Sequence, residues 1–454
     1  MRRRDLLRNR LVAAALRSRG PQLVITLAAL AGLLVAIVAG LTGTPVGARN
    51  AGIVLVWIAW WALLMLVAVP FAGRGWCSVC PVPVVGEWLQ RGAVLAPHGA
   101  GLGAGRRWPR ALRNIWLQNA GFVLVSLFGI IVLTQPRVTG LVLLVFLAAA
   151  VATSLVFERR TFCRYLCPVG GFIGLYSQLA PVELRVRDAA VCAAHTDKTC
   201  YTGSASGYGC PWLVYPPGLT RNVDCGLCFE CLRTCPYDNL ALNVRPAGAD
   251  LAVARGRGLD EAFKTCIMLG SALAYAAVML GPWGGLKSAA SAVGTTPWWG
   301  YAAAFLLLVF GLLPGALWLA TASGGRLAGS TTTTVRSFTR FASALTPLGL
   351  AAWMAFTLSF VFANLSYVWP VLSDPLGWGW NLVGTADLAW TPYGAAILPF
   401  LQAGVLLGGL AWTGAAVRHV AADLEPQRSV VLQAAPVLSL AALLTVVFME
   451  LLVA

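Results

Sequence analysis

Cys225-Gly-Leu-Cys228-Phe-Glu-Cys231-Leu-Arg-Thr-Cys235-Pro236 places four thiols within a few turns of chain. This CxxCxxCxxxCP run is the pattern that binds [4Fe-4S] clusters. Three thiolates from one tight loop cap three irons of a cubane, and amide groups of the same loop can hydrogen-bond the sulfides. In two-cluster ferredoxins the fourth cysteine of such a run serves the other cluster, so an upstream partner motif is expected. Cys192, Cys200 and Cys210-Pro211 supply one with widened spacings. The reading is therefore Cys225, Cys228, Cys231 and Cys210 on one cluster, with Cys192, Cys200 and Cys235 on a second.

Two cubanes need one thiolate more than these segments hold. Cys266, a cysteine from the pairs described next, His195 and an external group all remain open as the eighth ligand, and so does a three-cysteine [3Fe-4S] cluster. Zinc sites favour two separated pairs over such a dense run.

Two further pairs each precede a proline: Trp76-Cys77-Ser-Val-Cys80-Pro81 and Phe162-Cys163-Arg-Tyr-Leu-Cys167-Pro168. Each follows an apolar hairpin and precedes a short apolar stretch ending near Gln90 or Gln178, which reads as an internal repeat. Residues three or four apart share a helix face, so each pair is competent to chelate Cu(I) or to cycle between dithiol and disulfide.

The elements that flank these thiols are membrane spans. The chain has 454 residues, 58% hydrophobic and 11% charged, and its mean hydropathy is +0.75, too apolar for soluble domains. A span needs about 20 apolar residues. Apolar runs at 22–41, 51–71, 115–134, 138–157, 264–282, 299–322, 342–369, 393–416 and 430–453 predict nine helices. With the N-terminus inside, every Lys and Arg except Arg49, Arg137 and Lys287 falls in an inner segment, the positive-inside pattern. The net charge of +16 thus reports topology rather than nucleic-acid binding. The start, Met1-Arg-Arg-Arg-Asp5, reads as a basic anchor for the first helix, although it also looks like a twin-arginine leader.

The expected fold is an all-α polytopic membrane protein with an inserted, loop-rich, ferredoxin-like domain. Its parts are a basic segment at 1–21, a four-helix region with the duplicated hairpins at 22–178, a cytoplasmic cluster domain at 179–262 and five helices at 263–454. The inner face of the cell's cytoplasmic membrane is the expected location of that domain. The reducing compartment there disfavours disulfides.

Other signals are weaker. His98, His195 and His419 all lie outside the predicted spans, so no haem held by paired histidines is expected. Ser330-Thr-Thr-Thr-Thr334 reads as a polar inner loop, the Trp-rich stretch around Trp378 and Trp380 as an interfacial belt, and Cys266 first of all as a small buried hydrophobe. Glu450 is the lone carboxylate in the spans, which argues against an ion transporter.

Over residues 50–265 the hairpins ending in CxxCP or CxxxCP, followed by the cluster run, resemble the polyferredoxin-type membrane subunits of nitrous-oxide respiration and periplasmic nitrate reduction. They also resemble related copper-handling proteins of oxidase assembly. That resemblance implies electron transfer between a cytoplasmic or quinone-pool donor and a membrane or exported redox partner, or else the maturation of a metal centre. The first pair is CxxCP where the resemblance leads one to expect CxxxCP, and five C-terminal spans are added.

Overall fold

The computed structural model describes residues 3–95, 99–425 and 429–453; His98 and the first two residues of the basic start lie outside them. Eight helices are long and apolar enough to cross a bilayer: Gly20–Thr42, Ala51–Arg91, Pro136–Val156, Leu259–Leu280, Thr296–Leu327, Thr334–Ser373, Leu398–Leu424 and Val430–Leu452. The chain is therefore a multi-pass, all-α membrane protein. The ninth expected span, at 115–134, is interrupted instead of continuous: Trp116–Leu127 and Gly129–Thr134 meet at a break on Phe128. A Cβ on Gly129 would lie 2.2 Å from the Tyr275 hydroxyl, so the break falls where a tyrosine packs against the backbone.

The chain divides into two compact units. The first comprises 1–37, 67–118 and 141–253, and the second 38–66, 119–140 and 254–454.

The first unit contains the one named sheet among the described residues, built from β1 (Arg4–Asp5), β2 (Val182–Val186) and β3 (Leu240–Val244) in the order β1-β3-β2. Both pairings are antiparallel, with Arg4 opposite Val244 and Leu184 opposite Leu242. The basic N-terminal segment is thus part of the folded unit. Asp5 caps the turn after β1 by accepting from Leu7 N–H and also accepts from Leu242 N–H. Asn9 caps the helix Arg10–Arg17 that follows, as short polar side chains do at helix starts.

One face of the sheet packs Leu184, Leu240 and Leu242 against Leu7, Leu227, Leu232, Cys200 and Cys231. Behind it lies a buried ionic network. Arg245 pairs with Glu183 at 2.9 Å and with Asp250, and Arg185 pairs with Asp250 at 3.4 Å. Asp250 also accepts from Asn222 N–H at 2.6 Å, while Asn222 donates to the Ser177 and Val182 carbonyls. The turn entering Cys225 is thereby fastened to β2.

In the second unit the helices approach closely at small residues. A Cβ on Gly409 would sit 2.4 Å from that of Ala351, and one on Gly324 would sit 2.4 Å from the Gln433 carbonyl. Small residues at such crossings let backbones pack closely where no aqueous driving force acts. Trp353 donates to the Met268 carbonyl at 3.0 Å and stacks edgewise on Phe356.

Replacing Asp250 by Ala leaves Arg185 and Arg245 to share the single carboxylate of Glu183 in a buried setting and removes the acceptor of the Asn222 N–H. Breaking such a pair costs about 3–5 kcal/mol, so the midpoint of thermal unfolding, followed by tryptophan fluorescence in detergent, falls sharply in Asp250→Ala. An unchanged midpoint would show that the network does not hold the turn.

Candidate metal centre

The 225–235 run folds as a tight wrap. Leu227 and Phe229 adopt left-handed backbone, with φ of 48° and 61°, a conformation bulky residues rarely take. This turns amide groups inward: Leu227 N–H is directed at the Cys225 thiol and Glu230 N–H at the Cys228 thiol. The short helix Glu230–Thr234 then carries Cys231 to Cys235, whose N–H donates to the Cys231 carbonyl.

Cys210 reaches the same place from upstream. Cys210, Cys225, Cys228 and Cys231 line one cavity together with Trp212, Gly226 and Phe229. That grouping matches the ligand set read from the cross-ligating pattern. Gly226 is required here by contact, since a Cβ would lie 1.9 Å from Trp212 Nε1. Trp212 is 2% exposed, and its Nε1 has no hydrogen-bond partner among the described residues. A buried indole N–H left without an acceptor beside four thiols is a donor suited to a cluster sulfide.

Cys192, Cys200 and Cys235 line a second cavity, and His195 and Asn239 line it with them. Asn239 Nδ2 donates to Cys192 Sγ at 3.2 Å. His195 stacks on Tyr237 with ring centroids 4.4 Å apart, and its buried Nδ1 has no hydrogen-bond partner among the described residues. Of the ligands left open for this group, His195 is in the cavity. Cys266 lies in the helix Leu259–Tyr275 of the second unit, buried, where it is the lone cysteine.

The CP pairs, read above as two separate sites, belong to one unit and lie within electrostatic range of each other. Cys163 lies within electrostatic range of Cys167, Cys80 and Cys77, and Cys167 within range of Cys77. Neither pair lies on one continuous helix face. Cys80 and Cys167 are extended residues that cap the next helices, Pro81–Arg91 and Pro168–Tyr176, each opened by its proline. Proline suits the first helical position and forces the residue before it to be extended.

Among the described residues, no three His, Cys, Asp or Glu side chains converge closely enough to hold one metal ion. A cubane asks for a wider donor set, because each thiolate binds a different iron at a separate corner. Burial pushes Cys225 up to about 11, with Cys210 adding to it, and pushes Cys200 up to about 11, with Cys235 and Cys192 adding to it. Thiols so placed become thiolates at neutral pH when cationic iron is among them.

Sequence reasoning missed Trp212, Gly226 and Asn239. Gly226 between two cluster cysteines, and Trp212 directly after a CP dipeptide, were the available signals.

The chain matches the family described as "4Fe-4S binding domain" over residues 53–107 and 139–187. The two matched stretches contain Cys77/Cys80 and Cys163/Cys167 and stop short of the 225–235 run. YccM of Escherichia coli (strain K12), whose name proposes electron transport, is 33% identical over 82 residues, 18% of this chain and 20% of that protein. The methylamine utilization ferredoxin-type protein MauN of Paracoccus denitrificans is 31% identical over 139 residues, 26% of this chain and 44% of that protein. An uncharacterized protein of Methanocaldococcus jannaschii is 24% identical over 128 residues, 28% of this chain and 48% of that protein. The chain thus spans from a fifth to about half the length of these relatives. No solved structure matches it. These matches support a polyferredoxin-type 4Fe-4S membrane protein.

A side chain at Gly226 must displace Trp212, whereas a Cβ at Gly218 meets nothing within 4 Å. Gly226→Val is expected to lower iron and acid-labile sulfide in purified protein by about half or more, since overpacking costs about 1–3 kcal/mol at a ligand loop. Gly218→Ala is the control and keeps wild-type content. Equal content in the two variants would refute the contact argument.

Proposed function

We propose that this protein is a membrane-bound electron carrier that exchanges electrons between the quinone pool and a redox partner through two clusters. Cys210, Cys225, Cys228 and Cys231 hold one, and Cys192, Cys200, Cys235 and His195 Nδ1 hold the other. When bound, such clusters supply one-electron transfer at potentials set by charge, hydrogen bonds and burial. A histidine in place of a thiolate raises the potential of its cluster, as it does in Rieske centres.

The observation that carries this reading is a cleft of about 280 Å³ that Cys228 itself borders. Leu23, Val84 and Trp88 form its apolar wall, and Tyr208, Glu87 and Glu230 are among its polar groups. Leu23 belongs to the apolar helix Gly20–Thr42. The cleft thus sets one apolar wall against a polar side that includes Arg19, Arg91, Arg159, Arg160 and Arg233, and a quinone, with polar carbonyls on an apolar ring and tail, has that mixed character. Quinol oxidation releases two electrons and two protons; the carboxylates lining the cleft, Glu87 and Glu230, are held in ion pairs with Arg160 and with Arg19 and Arg233.

The charge distribution supports a cytoplasmic placement of the N-terminus and of the cluster segments, in the inner membrane. The residues of 179–262 would then form the cytoplasmic, ferredoxin-like domain. The partner protein that accepts or supplies the other electrons is a separate question of pathway.

Protein purified without oxygen is expected to show reducible cluster signals by electron paramagnetic resonance. A short-chain quinol reduces those signals in wild type, and Trp88→Ala slows that reduction by about tenfold or more, the effect of losing roughly 1.4 kcal/mol of binding, with iron content unchanged. His195→Ala alters the line shape of one cluster and leaves the other as it was. Dithionite-reducible clusters that no quinol reduces would sink the quinone assignment while leaving the cluster assignment in place.

A further inference from the structure

We infer that Arg74 and Trp212 work as a stacked, positively charged pair that sets the reduction potential of the cluster on Cys210, Cys225, Cys228 and Cys231. Trp212 supplies a hydrogen-bond donor at the ligand loop, and Arg74 supplies a charge on the face of the indole. This rests on the ligand set proposed for that cluster and does not depend on the quinone cleft.

Arg74 carries a charge that no carboxylate offsets among the described residues. It is 5% exposed. Its Nη1 donates to the Val223 carbonyl, while Nε and Nη2 have no hydrogen-bond partner among the described residues. Other buried arginines of the unit are matched to acids: Arg160 to Glu87, and Arg185 and Arg245 to Glu183 and Asp250. A buried guanidinium with two nitrogens unpaired is costly unless an anion stands near it. A cubane with four thiolates carries net negative charge, one unit more when reduced, and meets that need.

The chain on both sides of the site places the pair. The Arg74 guanidinium carbon lies 4.1 Å from the centroid of the Trp212 ring, within cation–π range. Val223 stands two residues before Cys225, and Trp212 two residues after Cys210. Two residues of extended chain span about 7 Å at most, so Arg74 touches the chain close to two of the four ligands. Gly174 makes room for it, since a Cβ there would lie 2.9 Å from Arg74 Nη1. Trp212 lines the cavity of the four thiols, and the Gly226 backbone, between Cys225 and Cys228, lies against its Nε1. Arg164 Nη1 holds the tryptophan in place by donating to the Trp212 carbonyl and, at 3.0 Å, to the Leu213 carbonyl.

Reduction adds one electron to the cluster. A cation and a hydrogen-bond donor beside it both favour the more negative, reduced form, so both residues raise its potential. The charge is permanent, because a guanidinium is not deprotonated in proteins. Neither residue lines the cavity of Cys192, Cys200 and Cys235, which makes that centre an internal reference.

The test is a redox titration with dithionite, followed by electron paramagnetic resonance, of full-length protein purified without oxygen in detergent. Iron and sulfide are counted in every sample. Arg74→Gln is expected to keep wild-type iron and to weaken reduction of one centre about tenfold, a fall of about 59 mV for a one-electron couple, with the other centre unmoved. Arg74→Lys keeps the charge and stays closer to wild type than Arg74→Gln does. Trp212→Phe keeps a ring under the guanidinium, loses the N–H and lowers the same potential; it also decides the matter if Arg74→Gln sheds its cluster. An unchanged potential in Arg74→Gln or Trp212→Phe, or equal falls in Arg74→Lys and Arg74→Gln, overturns the role of the pair and leaves the cluster assignment standing. Wild-type protein free of iron and sulfide overturns the cluster assignment itself, and this inference with it.

Discussion

The Glu87–Arg160 ion pair fastens together three stretches of chain that sequence alone leaves far apart. Arg160 pairs with Glu87 through both carboxylate oxygens, and the two side chains are almost fully buried. The same guanidinium donates to the Cys77 carbonyl, while the Arg160 backbone N–H donates to the Pro211 carbonyl at 3.1 Å. One residue thus joins the first CP pair, the end of the second hairpin and the segment that carries Cys210. A buried ion pair is a poor source of net stability but a strong penalty against mispairing. Here it sets which thiols meet.

The shape of the hairpin ends follows from this constraint. Glu87 lies on the helix Pro81–Arg91, which can approach Pro136–Val156 because position 86 is glycine. A Cβ there would come within 2.8 Å of Ser154. Gln90 then donates to the Ser154 and Phe157 carbonyls at 2.6 Å, closing the end of the helix against the next hairpin. Loss of these contacts would shift the helix Pro81–Arg91, and Cys80 that caps it, against the end of the second hairpin.

Much of the chemistry was legible in the sequence. The 225–235 run and its CP-terminated partner named the seven cysteines that line the two cavities, since a cluster-binding run is a matter of local spacing. Eight of nine spans were legible because apolar length is a one-dimensional property. The break at Phe128 was not, as it depends on Tyr275 arriving from far along the chain. The tie between the first CP pair and the end of the second hairpin was equally hidden. It is carried by Glu87 and Arg160, and charges in apolar surroundings read from sequence as parts of a topology signal. His195 was visible in the sequence as one of several options for the eighth ligand, and its place beside Cys192, Cys200 and Cys235 became visible only in the folded chain.

The unequal spacing of the two pairs has a structural resolution. The first pair has two residues between its cysteines and is bridged by the α-helical turn Trp76–Val79. The second has three and is bridged by the π-helical turn Phe162–Leu166, with Cys167 N–H donating to the Phe162 carbonyl five residues back at 2.8 Å. A π turn absorbs one extra residue without ending the helix. Both second cysteines consequently emerge with nearly the same backbone, φ −61° and ψ 128° at Cys80 against φ −63° and ψ 114° at Cys167. Each is followed by proline at the first position of a new helix. CxxCP and CxxxCP are therefore two solutions to one geometric demand, that a thiol stand at a helix start with its partner one turn behind. The difference in spacing is a local adjustment within a duplicated unit, and it leaves both second cysteines at the start of a proline-opened helix.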